Sequence, residues 1–163
     1  MANAKVGVKA GWHSNYVETI TAAKSLLPSD SGKLFNVTAG AFAITLPKAT
    51  SDLVGFSCEF IISAGSNDAV TIDSYEADDL YYGGLVMVTA IAASTSNAVN
   101  GMFEAPDGSD DNTLTIDQNA DHNGITTGST VKFQCIAENQ WWVSGIAMIA
   151  AAEDDDTALA PFS

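Results

Sequence analysis

The sequence contains no arginine and only six lysines, against 20 aspartate and glutamate residues, so the 163-residue chain has a net charge of −14. Proteins that bind DNA or RNA neutralise phosphates with lysine and arginine side chains. We therefore expect no nucleic-acid partner. An anionic membrane surface is disfavoured for the same reason, so we expect no membrane partner either.

Cysteine and long apolar runs are also scarce. The two cysteines are Cys58 and Cys135. Each falls on the same side of an alternating stretch as neighbouring apolar residues, which predicts that both are small buried hydrophobic side chains. A disulfide between them is the minority interpretation for a protein made in a reducing cytosol. The first twenty residues contain no apolar block of signal-peptide length, and the run Gly145–Ala152 is too short to span a bilayer.

Motifs that carry chemistry are missing as well. His13 and His122 have no cysteine or second histidine at metal-ligand spacing, and no serine lies in a G-x-S-x-G turn. Residues 119–124, NADHNG, resemble a calcium loop, but the first position is Asn and Thr130 stands where the bidentate glutamate belongs. We therefore expect no catalytic residue, no metal ion and no cofactor.

The clearest pattern that is present lies in Asp30–Pro47, DSGKLFNVTAGAFAITLP. Asp30, Ser31 and Gly32 are turn-forming residues, and the apolar residues that follow alternate with smaller or polar ones. Ala39–Ala41 interrupts the alternation, and Pro47 ends it because proline cannot donate a ladder hydrogen bond. The stretch predicts a β-hairpin.

Further alternating stretches predict short strands throughout the chain, and Glu18–Leu27 is either a strand or one helical turn. The other predicted strands are Asp52–Ala64, Val70–Ile72, Leu85–Ile91, Leu114–Ile116, Ser129–Ala137 and Trp141–Ala147. The pattern indicates an all-β protein, an antiparallel β-sandwich or jelly-roll-like barrel over residues 18–148. Residues 1–17 form an extended N-terminal arm, and 149–163 form an acidic flexible tail. Leu85–Ile91 is either buried on both faces or part of a subunit contact.

The chain resembles tailed-phage head decoration (cement) proteins and related phage virion surface proteins. The similarity rests on SDSGKLFNV, AITLP, GFSCEFIISAGSND, AVTID and VKFQCIAENQWWVSG, in this order, over about residues 19–146. This chain has Trp141 and Trp142 where the family pattern has one tryptophan. Because neighbouring strand residues point to opposite faces, one of the two fills the core and the other is free to meet a partner.

The resemblance implies a structural virion protein, not an enzyme, that is assembled in the host cytoplasm and binds the outer surface of the head. Its partners would be the major capsid protein and further copies of itself, with a trimer favoured. The candidate capsid or subunit contacts are Lys5, Lys9, Trp12, Tyr16 and Trp142. The alternative is a receptor- or glycan-binding module of a head or tail fibre. Its sugar-stacking aromatics would be Tyr75, Tyr81, Tyr82 and Trp142.

Overall fold

The computed structural model describes residues 17–38, 40–63, 68–89, 101–106, 109–116, 125, 127–149 and 162. These residues contain eleven β-strands and two short 3-10 turns, Pro28–Asp30 and Ser51–Leu53. The all-β prediction is therefore confirmed. The strands are β1 (Val17–Ile20), β2 (Lys24–Ser25), β3 (Leu34–Val37), β4 (Phe42–Thr45), β5 (Ser57–Ile62), β6 (Val70–Asp73), β7 (Leu80–Thr89), β8 (Gly101–Glu104), β9 (Thr113–Ile116), β10 (Thr130–Ala137) and β11 (Gln140–Ile149).

The strands form two sheets. The large sheet has the order β1-β3-β5-β10-β11-β7-β8, and the small sheet has the order β2-β4-β6-β9. From β1 to β6 the chain alternates between the two sheets, so the odd-numbered strands lie in the large sheet and the even-numbered strands lie in the small sheet. As a result β1, β3 and β5 pair in parallel in the large sheet, and β2, β4 and β6 pair in parallel in the small sheet.

The hairpin predicted for Asp30–Pro47 is wrong. Its two strands exist as β3 and β4, but they belong to different sheets and do not pair with each other. The backbone turns at Ala41, which has a positive φ of 65°, and the chain crosses to the small sheet. Each strand has one apolar side to bury, and placing β3 and β4 in opposite sheets lets both bury it in the same core.

An antiparallel arrangement is also wrong for much of the fold. Five strand pairs are parallel: β1–β3, β3–β5, β2–β4, β4–β6 and β7–β11. The antiparallel pairs lie mainly in the second half, where β10 pairs with both β5 and β11. The β10–β11 pair is a true hairpin, and Asn139 at its turn has a φ of 60°. Parallel pairing requires a long crossover, and for the four parallel pairs among β1 to β6 a strand of the other sheet supplies it.

Side chains from both sheets form one hydrophobic core. Trp141, Phe133 and Tyr81 from the large sheet are fully buried, as are Ile44 and Ile72 from the small sheet. The Tyr81 hydroxyl donates a hydrogen bond of 2.9 Å to the carbonyl oxygen of Ile72, which links the two sheets directly. The sheets therefore pack against each other over a shared apolar layer.

Both cysteines belong to this core, as predicted. Cys58 of β5 and Cys135 of β10 are buried and carry free thiols. Burial raises the pKa of each thiol above its ordinary value. Both side chains therefore act as small hydrophobic residues and stay protonated.

The ends of the domain differ from the predicted boundaries. Val17, assigned to the arm, is the first residue of β1, and β11 continues to Ile149. Phe162 is 7% exposed, belongs to the core and forms an antiparallel bridge with Leu114 of β9. The segment predicted as a flexible tail thus returns to the core near its end, while its acidic residues Glu153–Asp156 lie outside the described residues.

Candidate interaction surface

The two adjacent tryptophans of β11 point to opposite faces of the large sheet, as the alternation predicts. Trp141 is fully buried, and its ring meets the ring of Phe56 edge-on at a centroid distance of 5.6 Å. Trp142 is 46% exposed on the outer face. The prediction that the two tryptophans lie on opposite faces, one of them in the core, is therefore confirmed, and a partner contact of Trp142 stays a prediction.

Other apolar side chains accompany Trp142 on this outer face. Ile146 of β11 lies in register with Val86 of β7, and Val86 lies in register with Phe103 of β8. Their exposed fractions are 49% for Ile146, 46% for Val86 and 62% for Phe103. Three neighbouring strands thus bring these side chains into one row. We call Trp142, Ile146, Val86 and Phe103 the apolar face.

Two glycines of β7 allow the aromatic rings of this face to lie close to the backbone. Gly83 has a φ of +100°, and a Cβ placed there would stand 3.1 Å from Cε2 of Trp142. Gly84 has a φ of +149°, and its Cβ would stand 2.7 Å from Cζ of Phe103. The Gly-Gly interruption in the sequence is therefore where the rings of Trp142 and Phe103 contact β7.

The apolar face is also free of charge. The outward positions of β7 and β11 hold Tyr82, Gly84, Val86 and Val88, and Trp142, Ser144, Ile146 and Met148, with no acidic or basic side chain among them. Charge first occurs on the neighbouring strands, where Lys132 of β10 lies opposite Glu59 of β5. In a chain with 20 acidic residues, a face without a carboxylate is a distinct feature.

The outer face of the small sheet has the opposite character. Its outward positions alternate with the buried ones and are mostly hydroxyl or carboxylate side chains. They are Ala43, Thr45, Thr71, Asp73, Thr113 and Thr115. The small sheet therefore presents a surface suited to water, and the β11-β7-β8 part of the large sheet presents one suited to a protein contact.

A cluster of four charged side chains links β1 to the residues just before β3 at the edge of the large sheet. The Glu18 carboxylate accepts hydrogen bonds from the ammonium groups of Lys24 and Lys33, and Lys33 also donates to Asp30 at 2.7 Å. Asp30 is nearly buried and accepts the backbone N–H of Leu27 at 2.8 Å. The two lysines lower the pKa of Glu18. Burial would raise the pKa of Asp30, but the Leu27 N–H and Lys33 outweigh it and hold that pKa below its ordinary value.

Asp79, just before β7, is a buried carboxylate of a different kind. One of its oxygens accepts the backbone N–H of Ala49 at 3.1 Å, and the other has no hydrogen-bond partner within the described chain. Burial raises the pKa of Asp79, and the nearby Glu76 adds to the rise. Nε1 of the buried Trp141 likewise has no partner in the described part. This end of the core therefore contains an unsatisfied acceptor and an unsatisfied donor.

The remaining predicted residues either lie outside the described ranges or differ in their exposure to solvent. Lys5, Lys9, Trp12 and Tyr16 lie outside the described residues, as does the loop 119–124. Of the proposed sugar-stacking aromatics, Tyr75 is 59% exposed, and Tyr82 lies in register with Trp142 on the outer face. Tyr81 is fully buried and hydrogen-bonded, so its proposed role in stacking a sugar is wrong.

Sequence reasoning missed Ile146 and Phe103 of the apolar face. The run Leu85–Ile91 is predicted to be buried on both faces or to lie at a subunit contact. Burial on both faces is wrong, because Val86 is 46% exposed, and the subunit contact stays a prediction. The strand β8, which supplies Phe103, lies in a stretch that is polar enough to suggest a loop. The available signal was the alternation of Val86 and Ile146 with buried residues, which marks them as outward-facing.

No group of three or more His, Cys, Asp or Glu side chains in the described ranges could hold a metal ion. The described residues also include no helix with the length and apolar character needed to cross a bilayer.

Comparisons with protein-family models, with curated proteins and with solved structures find no match to this chain.

Proposed function

We propose that this chain is a non-enzymatic structural protein of a phage virion, a decoration protein that binds the outer surface of the head and stabilises it. The apolar face on β11, β7 and β8 of the large sheet, which carries no charged side chain, is the observation that carries this proposal. Covering an apolar surface removes it from water, which is favourable in free energy. This face also offers no charged group for chemistry or for binding an ionic ligand. The resemblance to head decoration proteins supplies the kind of assembly to which the chain would belong.

The two faces suit a protein held between a shell and water. In this proposal the module is a β-sandwich whose large sheet faces other protein and whose small sheet, rich in threonine, faces solvent. Each contact would be weak by itself, but a module of several copies would engage several capsid subunits at once. Linked weak contacts reach a high total affinity because every contact after the first is intramolecular.

The N-terminal arm, residues 1–17, is the proposed contact with the major capsid protein. It leads directly into β1, the edge strand of the large sheet, where Val17 is 54% exposed. Lys5 and Lys9 would pair with acidic groups of the shell, and Trp12 and Tyr16 would fill apolar pockets there. Among the described residues β1 pairs with β3 alone, so in this proposal the arm that precedes it would reach another protein from the edge of the sheet.

Deletion of residues 1–16 tests this assignment while keeping all of β1. We expect the shortened chain to retain the circular dichroism spectrum of a β protein and to lose binding to empty heads. The matched control is the full-length double variant Trp12→Ala, Tyr16→Ala, which removes the two aromatic anchors and should weaken binding at least tenfold without abolishing it. Full occupancy of heads by the shortened chain would contradict the assignment of the arm.

A second candidate function is favoured by one observation. Trp142 and Tyr82 lie side by side on the outer face, and Gln134 of β10 is the register partner of Trp142 on the other side. Aromatic rings beside an uncharged amide are the groups that recognise a neutral sugar ring. A glycan array separates the two functions, since a receptor-binding fibre module would bind defined glycans and a decoration protein would bind heads.

A further inference from the structure

We propose that the outer face of the large sheet binds a glycan in which one sugar bears a carboxylate, and that Lys132 holds this carboxylate. The inference rests on the second candidate function and deepens it, because it names the class of glycan and the residue that selects it. Three observations favour it. They are a row of side chains suited to sugar rings, a recess at one end of the row, and a lysine without an ion pair beside both.

The first observation is a row of four outward-facing side chains across the large sheet. Ser57, Gln134, Trp142 and Tyr82 are successive register partners on β5, β10, β11 and β7. Three strand spacings, about 14 Å, separate the two ends of the row. The row combines a hydroxyl, an amide and two aromatic rings. A sugar ring has apolar CH faces and polar hydroxyl edges, and this row offers contacts to both.

The ring of Trp142 is already held in place within this row. It is 46% exposed, and a Cβ at Gly83 would stand 3.1 Å from its Cε2 atom, so the ring lies against the backbone of β7. A side chain that is ordered in the free protein loses less conformational entropy on binding. Trp142 is therefore suited to be the stacking residue of the site.

The second observation is a recess at the Ser57 end of the row. It has a volume of about 170 Å³ and is lined by Gly32, Lys33, Ser57, Cys58, Glu59 and Lys132. Pockets that enclose a whole drug-sized ligand have volumes of roughly 300–1,000 Å³. The recess therefore fits one substituent of a larger ligand, and Ser57, which belongs to both, joins the recess to the row.

The third observation is that Lys132 forms no ion pair within the described part of the chain. The other lysines in that part, Lys24, Lys33 and Lys48, all form salt bridges with carboxylates. Lys132 is exposed, although Glu59 is its register partner on β5. A hydrogen bond from an ammonium group to a carboxylate is stronger than one between neutral groups. The group that best complements Lys132 is therefore a carboxylate of the ligand.

The position of Lys132 connects this cation to the stacking residue. Its register partner on β11 is Ser144, which lies two residues from Trp142. Diagonal neighbours of this kind in an antiparallel pair are about 7–8 Å apart, within reach of long and aromatic side chains. A sugar stacked on Trp142 would thus have its carboxylate within reach of the Lys132 ammonium.

The charges around the recess limit the ligand to one carboxylate. Lys33 is already engaged by Glu18 and Asp30, and Glu59 adds a negative charge to the lining. A chain with a net charge of −14 also repels a polyanion. The hydroxyl and amide groups of the row favour a sugar over an acidic segment of a protein, because apolar neighbours in such a segment would leave them without hydrogen-bond partners.

The experiment uses the full chain and a printed array of oligosaccharide pairs. In each pair one sugar bears either a carboxylate or a neutral hydroxymethyl group at the same carbon, and a second set compares sialylated with unsialylated chains. We expect the wild type to bind the carboxylated members about tenfold more tightly, as a charge-assisted hydrogen bond allows. The preference should fall as salt is added. Lys132→Gln should lose the preference and bind the neutral members like the wild type.

The matched control is Lys48→Gln, which removes the same charge from a salt bridge outside the recess and should keep the preference. Trp142→Ala should weaken binding to both members of each pair by about tenfold, because both sugars lose the stacking ring. Circular dichroism checks that each variant is folded.

The possible results separate the inference from the functions on which it depends. Equal binding of both members by the wild type, or a preference that Lys132→Gln leaves unchanged, would overturn the inference and leave glycan binding standing. Binding to no glycan, or binding to a polyglutamate peptide in place of glycans, would overturn the inference together with the second candidate function. The occupancy of heads by the same variants, measured separately, tests the decoration role.

Discussion

The indole ring of Trp142 lies directly against Gly83 on the neighbouring strand, and the two residues are adjacent in the parallel pairing of β11 with β7. A Cβ at Gly83 would stand 2.2 Å from the carbonyl oxygen of Val143 and 3.1 Å from Cε2 of Trp142. No side chain fits at that position without moving either the backbone or the ring. Gly83 thus allows the close approach of β11 and of the Trp142 ring to β7.

Gly83→Ala is therefore expected to destabilise the protein strongly. The left-handed φ of +100° costs about 1–2 kcal/mol for an alanine, and the clash with the Val143 carbonyl adds about 1–3 kcal/mol. Gly55→Ala is the control, because Gly55 has a similar φ of +96° with open space around it, so only the conformational cost applies. Urea unfolding gives the free energy of unfolding of both variants. Equal losses would show that the close approach at Gly83 does not affect stability.

The two tryptophans of β11 should differ sharply in their effect on stability. Trp141→Ala removes a fully buried ring and is expected to cost about 3–5 kcal/mol. Trp142→Ala removes a ring that is 46% exposed and should cost about 1 kcal/mol or less. Urea unfolding followed by circular dichroism gives both values. Comparable losses for the two variants would mean that a partner covers Trp142 in the folded state.

Two buried carboxylates are expected to give opposite pH dependences of stability. The pKa of Asp79 is raised above its ordinary value of 3.8, so the stability linked to it is complete below pH 3.8 and is lost as the pH rises through the pKa of the folded state. The pKa of Asp30 is lowered, so its contribution is present above pH 3.8 and is lost as the pH falls through its folded-state value.

Asp79→Asn should consequently stabilise the protein at pH 7, by about 1 kcal/mol, because it removes an unpaired charge from the core. The gain should disappear near pH 3, where the wild-type carboxyl is already neutral. Asp30→Asn should do the reverse, with a loss of about 1–2 kcal/mol at pH 7 that fades in acid. Unfolding free energies of both variants relative to the wild type, measured at the two pH values, check the signs. A stabilising effect of Asp30→Asn at pH 7 would contradict the role given to the Lys33 pair.

Phe162 provides a test of the C-terminal segment. Its ring is buried against β9, so Phe162→Ala should cost about 3 kcal/mol, as expected for loss of a core phenylalanine. A residue in a flexible tail would change stability by less than about 0.5 kcal/mol. Urea unfolding of Phe162→Ala decides between these values, and Ser163→Ala, next to it in the chain, is the control.

The tryptophan pair and the cysteines show which properties local sequence can specify. Alternation with a period of two assigns each strand residue to one face, and it placed Cys58 and Cys135 in the core and the two tryptophans on opposite faces. The hairpin at the end of the chain was equally predictable, because Glu138–Gln140 joins two alternating segments through a tight turn. Both properties depend on residues that are close together in the chain.

The parallel pairing of β3 with β5, and the row formed by Ile146, Val86 and Phe103, are of another kind. The amino-acid sequence alone determined that this is a β protein, where most strands lie and which side of each strand is buried. Tertiary structure alone decided that β3 and β4 belong to different sheets and that side chains from three strands form one uncharged face. The physical reason is that alternation is a property of a single strand, whereas the choice of neighbour depends on how all the apolar sides share one core.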